Sequence, residues 1–135
     1  MFAEGLCKKE ESEVKRIYVA GKYDDTSVIG VLNNIKKGTS KCVEILKEGN
    51  APFCPWLDFQ FHWFGDLSKE DYQRYSMAWL EVCDELYVLN NWRTSGGTKR
   101  EIARAKELGI PITYEKDETG EKPTVAAEPD YVGLR

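Results

Sequence analysis

The stretch "ELYVLNNWRTSGGTKREIARAKELGIPITY", residues 85–114, contains the pattern of a strand, a loop, a helix and a second strand. Residues 85–90 form a short apolar run that is typical of a buried strand. The following helix has apolar residues at helical spacing, and Gly109 suits the left-handed position that ends a helix. Residues 110–114 form the next strand. A strand, a covering helix and a strand in this order predict two parallel strands.

The same alternation continues toward the amino terminus. "RIYVAG" (16–21) predicts a first strand, and the helix that begins at "DDTS" is expected to stop at "EGN" (48–50). "APFCPW" (51–56) is a short strand confined to a sheet edge or a strand end by its two prolines. Residues 57–67 are predicted to form an aromatic-rich loop, and Ser68 is predicted to cap a further helix. In the first helix, apolar residues recur at helical spacing: Val28, Leu32, Ile35, Cys42, Val43 and Leu46.

The resulting order, β-α-β-loop-α-β-α-β, predicts an α/β fold with a parallel sheet and helices on both faces. We assign residues 16–114 to this domain, residues 1–15 to a charged amino-terminal extension and residues 115–135 to a polar carboxyl-terminal tail. In such sheets, ligands bind beyond the carboxyl ends of the strands, at the point where the strand order reverses. The candidate functional residues are therefore expected at these strand ends.

Composition excludes several classes of function. The chain has 19 Lys and Arg against 23 Asp and Glu, a net charge of -4, which argues against binding to polymeric nucleic acid. Four cysteines without a CxxC motif, together with one histidine, predict neither a metal site nor a disulfide scaffold. With no apolar run of membrane-spanning length and no signal peptide, we expect no membrane partner and a cytoplasmic location.

The segment "SGGTKRE" (95–101) has two interpretations. Gly96 and Gly97 allow backbone N–H groups to approach an anion at a helix N-terminus, and Ser95 adds a hydroxyl donor, which predicts phosphate binding. The same spacing also fits a capping box, with Thr98 as the N-cap and Glu101 bonding back to it. Spacing alone leaves both interpretations open.

Other strand ends supply further candidates. The Glu101 carboxylate can project toward a sugar held by the same loop, and can attack an anomeric carbon or stabilise an oxocarbenium-like state. Tyr18 and Gly21 stand at the end of the first strand, where core packing and an ordinary turn are the alternatives. Asn90 and Trp92 follow the third strand and are candidate substrate-binding residues.

The aromatic loop holds two more titratable candidates. His62 could act as a general acid or base, although a lone histidine among aromatic residues more often packs or stacks on a base. Asp58 is a candidate to contact a nucleobase or to act as the general acid. The neighbouring rings could stack on a nucleobase.

Three pieces of the sequence together resemble a known family: "IYVAG" (17–21), "CDELYVLNNW" (83–92) and "SGGTKREIARAKELGIPI" (95–112). They resemble the nucleoside 2-deoxyribosyltransferase-like superfamily, and most closely a bacterial and phage branch with a similar CD-x-x-Y-x-L-x-x-W-x-x-S-x-G run. The resemblance implies a flavodoxin-like or Rossmann-like three-layer sandwich with a four- or five-stranded parallel sheet. It also implies that Glu101 is the residue that attacks C1′ of a nucleoside or nucleotide, that Tyr18 and Gly21 line the sugar site, and that no cofactor is needed.

The chain departs from that family at two positions. Deoxyribosyltransferases have an Asp where this chain has Ser95, and the spacing of Ser95, Gly97 and Glu101 is instead similar to nucleoside 5′-monophosphate N-glycosidases. In those enzymes a serine and loop amides hold the 5′-phosphate, which an Asp would repel. Ser76 stands where both subfamilies have an Asp that assists the leaving base.

Without that acid, a proton for the base would have to come from His62, Asp58, Asp71 or water. We therefore expect an N-glycosidase that acts on a nucleoside 5′-monophosphate through Glu101. The alternatives are a non-catalytic nucleotide-binding protein and a nucleoside 2-deoxyribosyltransferase. By analogy with this fold we expect a homodimer or a larger homo-oligomer, with residues 59–64 and 115–135 as candidate interface segments.

Overall fold

The computed structural model describes residues 9–117. Within them, four strands are β1 (Arg16–Ala20), β2 (Ala51–Phe53), β3 (Glu85–Val88) and β4 (Ile112–Tyr114). Three α-helices are α1 (Val28–Lys47), α2 (Lys69–Leu80) and α3 (Gly96–Leu108). Short 3-10 helices cover Glu11–Glu13, Pro55–Phe64 and Trp92–Thr94.

The four strands form one parallel sheet in the order β2-β1-β3-β4. Helix α1 packs on the face that includes Ile17 and Val19, whereas residues of α2 and α3 pack on the opposite face with Tyr18 and Ala20. This alternation follows from the strand geometry, in which successive side chains point to opposite faces. The predicted α/β fold with a parallel sheet between two layers of helices is confirmed. The strand order reverses between β1 and β3, so the crevice between their carboxyl ends is the expected ligand site.

The helix ends match the capping signals in the sequence. Ser27 caps α1 by accepting a hydrogen bond from the Gly30 amide, and Ser68 forms a capping box with Asp71 at the start of α2. Gly109 ends α3 in the left-handed conformation, with a φ of 71°. Such a φ favours glycine because it has no Cβ.

The segment after β2 differs from the prediction. The predicted strand over 51–56 ends at Phe53, and the predicted loop over 57–67 is largely a 3-10 helix, Pro55–Phe64. Pro55 accounts for the change, since its fixed φ suits the first position of a helix and it has no N–H to donate to a strand. This helix buries Trp56 beneath the sheet edge.

Trp56 packs directly on the middle of α1. A Cβ built on Gly38 would lie 2.3 Å from the Trp56 ring, so only a glycine allows this contact. The indole N–H of Trp56 donates to the Lys22 carbonyl at 3.1 Å. The helix and the chain after β1 therefore hold this ring from two sides.

Parts of the predicted terminal segments pack against the domain. The Lys9 ammonium and the Lys15 amide both donate to the Asn50 side chain. At the other end, the Glu115 amide donates to the Val88 carbonyl at 2.8 Å, which extends the pairing beside β3. The remainder of these segments, residues 1–8 and 118–135, lies outside the described residues.

Several apolar side chains remain at the surface. On α1, four of the apolar residues at helical spacing are exposed: Val28, Leu32, Val43 and Leu46. Cys42 and Ile45 supply the contacts of this helix with the core. No helix within residues 9–117 combines the length and apolarity needed to cross a bilayer.

Candidate functional site

A cleft of about 480 Å³, part of it open to solvent, lies at the carboxyl end of β1 beside the start of α3. The lining residues come from the end of β1, the 3-10 helix after β2, α2 and the first turns of α3: Ala20, Gly21, Pro55, Trp56, Tyr72, Gln73, Ser76, Met77, Ser95, Gly97, Thr98, Arg100 and Glu101. The cleft thus occupies the crevice at which the strand order reverses.

Glu101 is the carboxylate that lines this cleft among the described residues. It is only 8% exposed, and its Oε2 accepts a hydrogen bond from the hydroxyl of Tyr18, the central residue of β1. The Tyr18 ring is fully buried and stacks on Phe53 with centroids 5.0 Å apart. The tyrosine is therefore fixed by packing, and its hydroxyl orients the carboxylate from across the sheet.

The capping-box interpretation of Thr98 and Glu101 is wrong. Ser95 is the N-cap of α3, and its side chain accepts from the Thr98 amide at 3.1 Å. The two glycines are helical rather than part of the loop, so α3 begins at Gly96 and Glu101 lies in its second turn. A carboxylate there is beyond the first turn, in which a side chain can bond back to the cap.

The N-terminus of α3 retains the features of an anion site. The Ser95 oxygen accepts from both the amide and the hydroxyl of Thr98, which leaves the serine proton available for donation into the cleft. The first amides of a helix have no intrahelical acceptor, and here they belong to Gly96 and Gly97. Arg100 lines the cleft one turn beyond Gly97 and brings a cation to the same end. Arg100 was not predicted, although its i,i+3 spacing from Gly97 was a usable signal.

Uncharged side chains form the opposite wall. Ser76 is buried and lines the cleft, as the resemblance implied, together with Tyr72 one turn earlier on α2. Trp56 and Met77 complete an apolar surface there. The sequence indicated Ser76 but not Trp56, Tyr72 or Met77 as lining residues. For Tyr72, the aromatic spacing of α2 fits core packing equally well.

Gly21 directly follows β1 and lines the cleft. A Cβ at this position would lie 2.8 Å from Leu89 Cδ1 and 3.0 Å from Asn91 Oδ1. The missing side chain therefore allows close packing between the ends of β1 and β3.

Six predicted residues lie outside the cleft lining: Tyr18, Asn90, Trp92, Gly96, Asp58 and His62. Tyr18 contacts the site only through its hydrogen bond to Glu101. Asn90 instead forms hydrogen bonds with the segment after β4. Its backbone N–H donates to Glu115 Oε1, and its side-chain Nδ2 donates to the Lys116 carbonyl. Trp92 packs on Tyr114. The chain after β3 turns toward β4, which carries both residues away from the β1 side.

Asp58 and His62 also do not line the cleft. Asp58 is buried within the 3-10 helix, and His62 is exposed with its ring 5.0 Å from that of Tyr72. Tyr72 therefore separates the histidine from the cleft. Asp71 forms the capping box with Ser68 and an ion pair with Arg74, so it is used at the start of α2.

A family model described as a domain of unknown function, DUF7768, matches residues 15–115. The chain belongs to this family. The match to DUF7768 runs from the residue before β1 to the residue after β4, and it includes every residue that lines the cleft. A comparison with curated proteins finds no match.

Two cysteines lie in contact behind the Trp56 wall. A hydrogen bond from the Cys42 thiol lowers the pKa of Cys54 to about 7, and the same contact, with burial, raises the pKa of Cys42 far above its usual value. The Thr39 hydroxyl lies 3.9 Å from the Cys54 sulfur. Within residues 9–117, no group of three or more His, Cys, Asp or Glu side chains is arranged to hold a metal ion.

Proposed function

We propose that this protein hydrolyses the base–sugar bond of a nucleoside or deoxynucleoside 5′-monophosphate, with Glu101 acting at C1′. The observation that carries the proposal is a buried carboxylate that faces a cleft at the strand-order reversal, on the same helix as an anion-binding N-terminus. The resemblance of the sequence to the nucleoside 2-deoxyribosyltransferase-like superfamily supports it, as does the spacing of Ser95, Gly97 and Glu101, which is similar to that of nucleoside 5′-monophosphate N-glycosidases.

The spacing on α3 suits a sugar phosphate. Gly97 and Glu101 are four residues apart, which corresponds to about 6 Å along a helix axis and is comparable to the span from C1′ to the phosphate. A 5′-phosphate would accept bonds from the Ser95 hydroxyl and the Gly96 and Gly97 amides, with Arg100 adding charge. The sugar would then lie over the following turn, with C1′ toward Glu101.

Glu101 would either attack C1′ or stabilise an oxocarbenium-like state as the base departs. The Tyr18 hydroxyl would hold the carboxylate in position throughout. Water would then add at C1′ and release the Glu101 carboxylate where a bond to it has formed, with its proton balancing the negative charge on the departing base. The products are the free base and the sugar phosphate. The base would lie against Trp56, Tyr72 and Met77, where apolar surfaces exclude water from the reacting bond.

The experiment incubates the protein with a panel of nucleoside monophosphates and measures the release of free base by chromatography. We expect release by the native protein and loss of it in Glu101→Gln, which keeps the shape of the side chain and removes its charge. Glu107→Gln is the matched control, because Glu107 is an exposed glutamate on the same helix. Retention of full activity in Glu101→Gln would exclude the assigned role.

A second candidate is a nucleotide-binding protein without catalytic activity. It is favoured by Ser76, which brings no acid to the cleft, and by Asp58 and His62, which do not line it. Calorimetric binding of nucleotides without turnover over many hours would support this candidate. Transfer of deoxyribose between bases is the third, and adding a second base as acceptor tests it.

We also propose a homodimer or larger homo-oligomer in the cytoplasm. The support is the exposed aromatic surface of the 3-10 helix, where Trp63 is 71% and Phe64 88% exposed. Exposed apolar residues in a group commonly mark an interface. Sedimentation of the native protein and of Trp63→Ser/Phe64→Ser tests the association, and an unchanged oligomer in the variant would exclude this surface.

A further inference from the structure

We infer that the substrate is a nucleoside 5′-monophosphate whose base is positively charged, such as a pyridinium or an N7-alkylated purine. This inference rests on the proposed function and specifies the class of substrate. It follows from two properties of the cleft. The first is the aromatic, uncharged wall against which the base would lie, and the second is the set of groups that could give a proton to the departing base.

The wall that faces the base is aromatic and uncharged. Trp56, Tyr72 and Met77 provide polarisable surfaces, and the neutral polar groups on α2 are Gln73, Ser76 and the Tyr72 hydroxyl. Aromatic faces attract a cationic ring, and thioether sulfur packs well against aromatic rings. The charged lining residues lie on α3, where Arg100 is suited to the phosphate and Glu101 to a positive charge near C1′.

The chemistry of base departure also favours a cationic base. When a neutral purine or pyrimidine leaves, the electrons of the C1′–N bond place negative charge on the base, and an acid must normally supply a proton. Among the described lining residues, Glu101 is the carboxylate, and the proposed reaction needs it ionised at C1′. The Tyr18 hydroxyl donates its proton to that carboxylate.

A cationic base leaves without this proton. As the C1′–N bond breaks, its electron pair moves to the ring nitrogen and cancels the positive charge, so the base departs as a neutral molecule. The C1′ cation forms a bond with the Glu101 carboxylate or is stabilised by it. Water then adds at C1′, breaks any C1′–O bond formed with Glu101 so that the carboxylate is regenerated, and gives up one proton to solvent. The products are a neutral base and a sugar 5-phosphate.

The test compares cationic and neutral nucleotides at equal concentration with the native protein. Nicotinamide mononucleotide and 7-methylguanosine 5′-monophosphate are the cationic probes; AMP, GMP and CMP are the neutral ones. We expect kcat/KM to be higher for the cationic probes by roughly 100-fold or more, the typical contribution of an acid catalyst. Each rate is corrected for spontaneous hydrolysis and for the residual rate of Glu101→Gln.

The outcomes separate this inference from the proposed function. Equal release from cationic and neutral nucleotides would overturn the inference and leave the proposed function standing. Release from neither group would overturn both. Preferential release from the cationic probes, lost in Glu101→Gln, would support both.

A gain-of-function variant tests the reason for the preference. Ser76→Asp would bring a carboxylic acid to the wall opposite Glu101, and Ser76→Asn has the same shape without a titratable proton. We expect Ser76→Asp, relative to Ser76→Asn, to raise kcat on AMP by roughly tenfold or more, with the gain lost as pH rises and the acid ionises. Circular dichroism confirms that both variants fold. An equal, low rate on AMP in two folded variants would overturn the inference.

Discussion

The hydroxyl of Tyr18, in the middle of β1, donates a hydrogen bond to Oε2 of Glu101 on α3, although the two residues are 83 positions apart in sequence. Two elements of the fold converge at this bond. The strand fixes the tyrosine through its stacking on Phe53, and the helix fixes the glutamate one turn beyond the anion site. The bond therefore links the rigid centre of the sheet to the proposed reacting group.

Tyr18→Phe tests this bond directly. The substitution keeps the ring and its packing while it removes the donor, so the carboxylate loses its orientation. We expect kcat for base release to fall roughly 10- to 100-fold, below the range for loss of a donor that contacts the transition state itself. Tyr114→Phe, at an exposed tyrosine, is the control. An unchanged kcat in Tyr18→Phe would show that this bond has no part in catalysis.

Arg100→Ala tests the phosphate end of the cleft. Loss of a charged donor to a phosphate costs about 1.5–3 kcal/mol, which corresponds to a rise in KM of roughly 10- to 100-fold. We expect this rise for the monophosphate and no change for the corresponding nucleoside. Lys106→Ala removes an exposed cation from the same helix and serves as the control. Equal effects on the nucleoside and the monophosphate would contradict a phosphate contact.

Gly38→Ala tests the packing of Trp56. The new methyl group would overlap the indole ring, and overpacking of this kind typically costs about 1–3 kcal/mol. The better helix propensity of alanine offsets up to about 1 kcal/mol of this loss. We expect a net decrease in the free energy of unfolding measured in urea, whereas Ser40→Ala, exposed on the same helix, should be neutral or slightly stabilising. Stabilisation by Gly38→Ala would contradict the contact.

The thiol pair predicts a pH-dependent reactivity. Because the hydrogen bond from Cys42 lowers the pKa of Cys54 to about 7, alkylation of Cys54 should rise through pH 7 and level off above it. Burial raises the pKa of Cys83 to about 11, so Cys83 should react slowly over the same range. The measurement is iodoacetamide labelling by mass spectrometry in a Cys7→Ser background.

Cys42→Ala is the decisive variant for that prediction. Removal of the donor should raise the pKa of Cys54 toward its ordinary value near 9.0, so that labelling at pH 7 slows. A rate unchanged by Cys42→Ala would show that the contact does not control the thiolate.

The sequence predicted the fold because each element has its own local signal. Ser68 with Asp71 and Gly109 at the end of α3 mark helix ends by short-range chemistry, and strands between helices imply a parallel sheet. Pro55 was the local feature we misinterpreted. We took it as a limit on a strand, whereas it starts a helix.

The site was less predictable because it depends on distant contacts. Glu101 was identified, but the position of its carboxylate depends on Tyr18, which no local spacing could reveal. Asn90 and Trp92 stand at a strand end, as predicted, yet the turn toward β4 takes them elsewhere. Position along the chain indicates that a residue lies at the carboxyl ends of the strands. It does not indicate which neighbouring strand the residue turns toward.

The contact between Gly38 and Trp56 also makes α1 a determinant of the shape of the cleft and, under the proposed function, of the size of the base that fits it. This helix contributes no residue to the cleft lining, yet it supports the indole ring that does. Selection for a larger or smaller base could therefore act on a position on the far side of the sheet. Variants at residue 38 are a route to altered specificity that leaves every lining side chain unchanged.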